Sequence, residues 1–331
     1  MDSSKREHLA KRVSSIPLKS ASQQISELAK DISKDGRQIV NFTIGEPCFD
    51  TPANITSAAI AALEDGQTHY TSNLGSLTVR EAFAAKLARD NNLTVDPNSE
   101  LTLTNGGKLS IYLSLMTILD HGHEVLVTDP CFGSFSNITK LAGGKPVYAA
   151  CVNEDGRFRP DLESLERMVT ERTRAIVINS PCNPTGTVLT KEELMAVGDF
   201  AQQHDLWIIS DETYEKIIYG DHVHYSIGSL HPEFPDRTIT IGSLSKTYGM
   251  TGWRIGFIAA PARIIKAAAY LNQNSARMAS AFVQHAAKEA YSGSQDAIEK
   301  MVEGYRVRSR TIVEGLESIP GIACVPPEGT F

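Results

Sequence analysis

Between about residues 100 and 260, short apolar runs alternate with longer amphipathic stretches. ELTLT (100–104), EVLVT (124–128), KPVYAA (145–150), RAIVINS (174–180), LWIISD (206–211), RTITIGS (237–243) and RIGFIAA (254–260) predict seven strands. Several are apolar throughout instead of alternating, as expected when both faces of a sheet are covered. Helical stretches fall between them. In KEELMAVGDFAQQH (191–204) the helix start is marked by Thr190 and Glu193, spaced as a capping box. Alternation of strand and helix implies an α/β fold with a mostly parallel seven-stranded sheet flanked by helices and right-handed crossovers.

The rims differ from this centre. Residues 20–35 predict a helix, and 294–318 predict a long amphipathic one with Ile298, Met301, Val302, Tyr305, Ile312, Val313 and Leu316 near helical spacing. The expected division is an N-terminal segment (1–45) shared with a small second domain, a large domain (46–293), and the start of the C-terminal small domain (294–331). No internal repeat or low-complexity tract interrupts it.

A length of 331 residues, 41% hydrophobic, suits one large domain plus a smaller lobe. The net charge of −7 and the lack of a Lys/Arg block argue against a nucleic-acid partner. Five cysteines (Cys48, Cys131, Cys151, Cys182, Cys324) form no CxxC pair, which points away from disulfide and structural zinc scaffolds. HGHE (121–124) and HVH (222–224) resemble metal-ligand pairs, but their loop positions favour surface histidines and no metal is expected. Arg263 and Arg277 are expected on helices, solvated or at a subunit seam, with no chemistry. No apolar run reaches the ~18–20 residues of a membrane span. The opening MDSSKREHLAKR has no apolar signal core, so the expected location is cytoplasmic.

In open α/β sheets ligands bind beyond the carboxyl ends of strands. Five strand ends carry polar or aromatic groups. After Thr104 come Gly106, Gly107 and Lys108 at a helix start, where free N–H groups face outward. This is no Walker loop, because position 102 is not Gly and Leu follows Lys108. DPCFGSF presents Phe132, PCNPTG presents Asn183, and DETYE presents Asp211 and Tyr214. SLSKTYGMTGWR presents Ser243, Lys246 and Arg254. Singly, each also has a plain reading: a Gly-Gly turn, a proline turn, a helix-capping Asp. Jointly they match one ligand, pyridoxal 5′-phosphate. Its phosphate suits a helix N-terminus, a serine and an arginine; its aldehyde suits a lysine. Its ring nitrogen suits a carboxylate, its phenolic oxygen Tyr and Asn donors, and its face an aromatic.

GEPCFDTP, THYTSNLGSLTVREA, the GGK turn, NSPCNPTG, SDETYE and SLSKTYGMTGWRIGF occur here in one order over almost the whole chain. In this the chain resembles the class I/II aminotransferases of pyridoxal-phosphate fold type I, in the aspartate aminotransferase-like branch. The resemblance implies that Lys246 forms the Schiff base with the cofactor and later moves the substrate proton. It implies Asp211 at the ring nitrogen, and Tyr214 and Asn183 at the phenolic oxygen. Ser243, Arg254, Gly106, Gly107 and Lys108 would hold the phosphate, and Phe132 would stack on the ring. Tyr70 would reach the phosphate of a neighbouring subunit, implying a homodimer with shared sites, and Gly45 with Asn183 would meet the substrate. The implied reaction is ping-pong amino transfer between an L-amino acid and a 2-oxo acid. β-Elimination (C–S lyase) or synthase chemistry on the same cofactor is the alternative.

The pattern departs at PPEGTF (326–331), where the family continues into the segment that carries its arginine for the substrate α-carboxylate. Either the chain is a fragment of a longer protein, or it is a truncated form that binds the cofactor with impaired catalysis. Cys182 and Cys48 replace the family's usual Asn or His and Asp.

Overall fold

The computed structural model describes residues 10–331 except 15, 18, 20 and 35. The strands are β1 (Leu101–Thr104), β2 (Glu124–Asp129), β3 (Lys145–Glu154), β4 (Arg157–Pro160), β5 (Thr173–Asn179), β6 (Trp207–Asp211), β7 (Thr238–Ser243) and β8 (Gly256–Ala259). Among the described residues the helices begin with α1 (Lys11–Ser14), α2 (Ala21–Lys34), α3 (Ala53–Glu64) and α4 (Leu77–Asn91). They continue with α5 (Gly107–Ile118), α6 (Ser134–Leu141), α7 (Leu162–Met168), α8 (Lys191–Gln203) and α9 (Leu244–Thr247). α10 (Ala262–Gln273), α11 (Ala281–Ser292) and α12 (Asp296–Glu317) complete the chain order. None of these helices is long and apolar enough to cross a membrane.

The sheet order is β1-β8-β7-β6-β5-β2-β3-β4. β3, β2, β5, β6 and β7 run parallel; β8 is antiparallel to both β7 and β1. Only the short α9 and a turn separate β7 from β8, too little chain for a crossover, so β8 reverses direction. β4 is an eighth strand that the apolar pattern does not predict, because RFRP is short and polar. Its signal lies in the turn: Asp155 and Gly156 both have positive φ and join β3 to β4 as a two-residue hairpin.

Side chains of successive residues go to opposite faces. Val125, Val127, Ala175, Val177, Ile209 and Ile241 pack on one face with α5, α6 and α10. Leu126, Ile176, Ile178 and Ile208 pack on the other with α7 and α8. Both faces are dry, which explains the continuous apolar runs. A third cluster joins α3, α4 and α11 to the buried face of α12, where Ile298, Met301 and Tyr305 are covered. Ile312, on the same predicted stripe, is 53% exposed. Phe49 meets Tyr305 edge-on at 5.2 Å and lies under Arg308, so residues near position 49 meet α12. α8 carries the capping box at Thr190 and Glu193.

Close packing is tightest where α8 crosses Phe234. A Cβ at Gly198 would lie 2.1 Å from the ring of this fully buried phenylalanine. Gly198→Ala should therefore cost about 1–3 kcal/mol through overpacking. Thermal melting should register a fall of several degrees, and an unchanged midpoint would refute the contact.

Candidate active site

The parallel strands end at one edge, and β8 enters the sheet from that same edge. Residues following β1, β2, β5, β6 and β7, and those just before β8, are therefore brought together. They surround a cavity of about 430 Å³. Of the residues singled out by sequence, Gly45, Gly107, Lys108, Phe132, Asn183, Asp211, Tyr214, Ser243, Lys246 and Arg254 line it.

The loop after β1 turns at Gly106, whose φ of 95° disfavours other residues. A Cβ there would meet the Arg254 guanidinium at 2.6 Å, and one at Gly107 would meet Ser243 at 3.3 Å. The two glycines thus let α5 present its first N–H groups beside Ser243 and Arg254, an anion cradle. Arg254, also at positive φ, donates to the Thr251 carbonyl at 2.9 Å. Lys108 is exposed and lies 5.6 Å from the Phe132 ring centre.

Lys246 sits in the short α9 and donates to the Gly45 carbonyl at 2.5 Å. Burial lowers its proton affinity, Lys108 and Arg254 lower it further, and Glu46 partly opposes them. Asp211, at the end of β6, is 6% exposed. Burial raises its pKa, and hydrogen bonds from Thr213 N at 3.1 Å and Thr213 Oγ1 at 2.6 Å only partly offset this. Among the described residues no cation pairs with it. Tyr214 is pushed up to about 12 by burial and by the Asp211 charge. Its hydroxyl is 3.5 Å from Asn183 Nδ2.

Asn183 belongs to a loop held from below and behind. Asn179 accepts from Asn183 N at 2.8 Å and donates to the Asp211 carbonyl at 2.9 Å. The Gly186 carbonyl accepts from the N–H groups of Glu328 and Gly329. Arg157 of β4 bonds both Glu328 and Glu193, tying the hairpin, α8 and residues 328–330 to this loop. Phe331 stacks on Tyr305 at 5.0 Å, and Lys246 Nζ lies 5.4 Å from its ring centre.

Tyr70, expected to reach a neighbouring subunit's site, does not line this cavity; it is 75% exposed, with the Arg277 guanidinium 3.9 Å from its ring centre. Arg277 itself lies after α10, not on a helix, whereas Arg263 is on α10 over Trp207. Ile44, Glu46, Ile111, Asn179, Thr213, Ser245 and Thr251 line the cavity without having been singled out. Asn179 carried the same signal as its neighbours, a polar residue ending an apolar strand; Glu46 and Thr251 are joined only in three dimensions, at 2.6 Å.

A sequence model of the family described as aminotransferase class I and II matches residues 37–331. The aspartate aminotransferase of Geobacillus stearothermophilus is 41% identical over 323 residues, covering 98% of this chain and 81% of that protein. Aromatic-amino-acid aminotransferase 2 of Thermococcus litoralis is 41% identical over 310 residues, 92% of this chain and 79% of that one. The structure of Thermus thermophilus aspartate aminotransferase with maleate superimposes with a TM-score of 0.92 at 38% identity, covering 98% of this chain and 83% of that one.

The raised pKa of Asp211 fixes a sign. Its folded pKa lies above its unfolded one, so its contribution to stability is present at low pH and lost as pH rises through the folded value. Asp211→Asn, which never ionises, should raise the melting temperature of the cofactor-free protein by about 2–4 °C at neutral pH. The gain should vanish on acidification. Melting curves from about pH 4 to about pH 8 check this, and a variant equally destabilised throughout would contradict it.

Proposed function

Because the chain belongs to the class I and II aminotransferases, we propose that its cavity holds pyridoxal 5′-phosphate while an amino group passes between an L-amino acid and a 2-oxo acid. The observation that carries the reading is Asp211, a buried carboxylate with two donors from Thr213 and, among the described residues, no cation beside it. Such a group is suited to a protonated ring nitrogen. The cradle of Gly106, Gly107, Ser243 and Arg254 is suited to the phosphate, with Lys108 at its rim. Both ends of the cofactor thus find the groups they need.

When bound, the cofactor supplies an electron-withdrawing ring that accommodates the electron pair released at the substrate α-carbon. The chain's own residues do the rest. Lys246, whose proton affinity burial lowers, would be first the anchor for the aldehyde and then the base that carries the proton. Asp211 keeps the proton at the ring nitrogen. Tyr214 and Asn183 stand together where a phenolic oxygen would be held, and Phe132 lines the cavity where the ring would stack. Gly45, whose carbonyl accepts from Lys246, and Asn183 line the same cavity and would meet the substrate.

The aspartate aminotransferases among the relatives support a dicarboxylic amino acid as substrate. The exposure of Tyr70 outside its own cavity, with Arg277 against its ring, supports a homodimer in which it would reach the neighbouring site. The division at residues 45 and 293 belongs to the same reading; the cavity draws Ile44, Gly45 and Glu46 to the body of the chain.

Adding L-aspartate to cofactor-loaded protein should convert its visible band to that of the pyridoxamine form, and a 2-oxo acid should restore it. Release of ammonia, pyruvate and a thiol from an S-substituted L-cysteine would instead indicate elimination, and no visible band would defeat the reading. Lys246→Ala should abolish the conversion. Asp211→Asn should retain the cofactor yet lower kcat by about 10²–10³-fold, so near-normal turnover would remove Asp211 from its role.

A further inference from the structure

The stretch DETYE (211–215) faces two ways. Asp211 and Tyr214 line the cavity, whereas Glu212 and Glu215 enter a polar socket behind it. Glu212, 3% exposed, accepts from Ser210 Oγ at 2.9 Å, from Ser226 Oγ, and from Asn91 Nδ2 at 3.3 Å. His224 Nε2 stands 3.1 Å from the same carboxylate. Glu215 is held by the buried Lys86 ammonium and by Asn91 Nδ2 at 2.7 Å. His224 is therefore not the surface histidine that its loop position suggests; its side chain is 7% exposed. Donor atoms of Glu212, Glu215 and His224 lie within 4.8 Å of one another, but Lys86 already supplies the socket with a cation.

Two buried carboxylates are costly to desolvate, and an apolar pair would pack the same strand end more cheaply. His224 adds to that cost: its Nδ1 is buried without a partner, so its ring is engaged only through Nε2. The charge is the part that packing does not explain. We propose that Glu212 and His224 are positioning residues for amino transfer: anchored through Asn91 and Lys86, they fix the backbone presenting Asp211 and Tyr214 and set the field behind Asp211. The inference rests on Asp211 facing the cofactor's ring nitrogen.

The Glu212 charge lies one residue from Asp211 and strengthens the hold of Asp211 on a proton; Lys86, paired with Glu215, is of opposite sign and would act in the opposite sense. The other titratable neighbours are Asp90, paired with Arg89 and Lys216, and Tyr248 and Tyr291, whose phenols burial keeps neutral. In the socket the charge is then carried by Glu212, Glu215 and Lys86.

The test is a pH titration of the visible absorbance of cofactor-loaded protein. Glu212→Gln, which keeps shape and removes charge, should lower the midpoint by about half a pH unit, and Lys86→Met should raise it by a similar amount. kcat of Glu212→Gln should fall about tenfold with little change in KM. Should Glu212→Gln not fold, the less buried Glu215→Gln tests the same sign. Opposite shifts support the proposal. A lower melting temperature with an unmoved midpoint, or shifts of one sign in both variants, would overturn it. Wild-type protein without a visible band overturns the cofactor reading and this inference with it, so the two failures are distinguishable.

Discussion

A sheet buried on both faces constrains everything else in this chain. With α5, α6 and α10 on one side and α7 and α8 on the other, the middles of β2, β5 and β6 are apolar. Polar side chains can then leave the sheet only at its edges. At the carboxyl edge Asn179, Asp211 and Ser243 end strands β5, β6 and β7, and each takes part in the cavity. β8 runs the other way, so Arg254 reaches that edge as the strand begins instead of where it ends.

The electrostatics of the cavity follow from this burial. Asp211 is taken out of water with no cation beside it among the described residues, and Lys246 is taken partly out of water among like charges. Burial pushes each toward its neutral form relative to an exposed group. Polar contacts behind the cavity keep them in place. Glu212 and Glu215 secure the Asp211 segment to Asn91 and Lys86, and Arg157 with Glu328 secures the Asn183 loop.

The strands and the residues at their ends are legible in sequence because both arise from local rules: apolar runs of limited length, then a turn residue, then a polar group. The same rules allow the capping box of α8 to be read directly. β4 escapes the apolar pattern because a hairpin edge strand need not be apolar, although Asp155-Gly156 signals its turn. His224 is misread for a related reason. Its loop position suggests solvent, but its ring meets the buried Glu212 carboxylate, which another part of the chain supplies.

What the sequence determines by itself is the α/β class, the order of the strands along the chain and the kinds of side chain delivered at their ends. Each depends on residues within a few positions of one another. The tertiary structure alone decides which strands are neighbours, that β8 reverses, and that Glu46 joins Thr251. It also decides which carboxylates are charged at little cost. Burial and long-range pairing set proton affinities, and neither is a property of any short stretch of sequence.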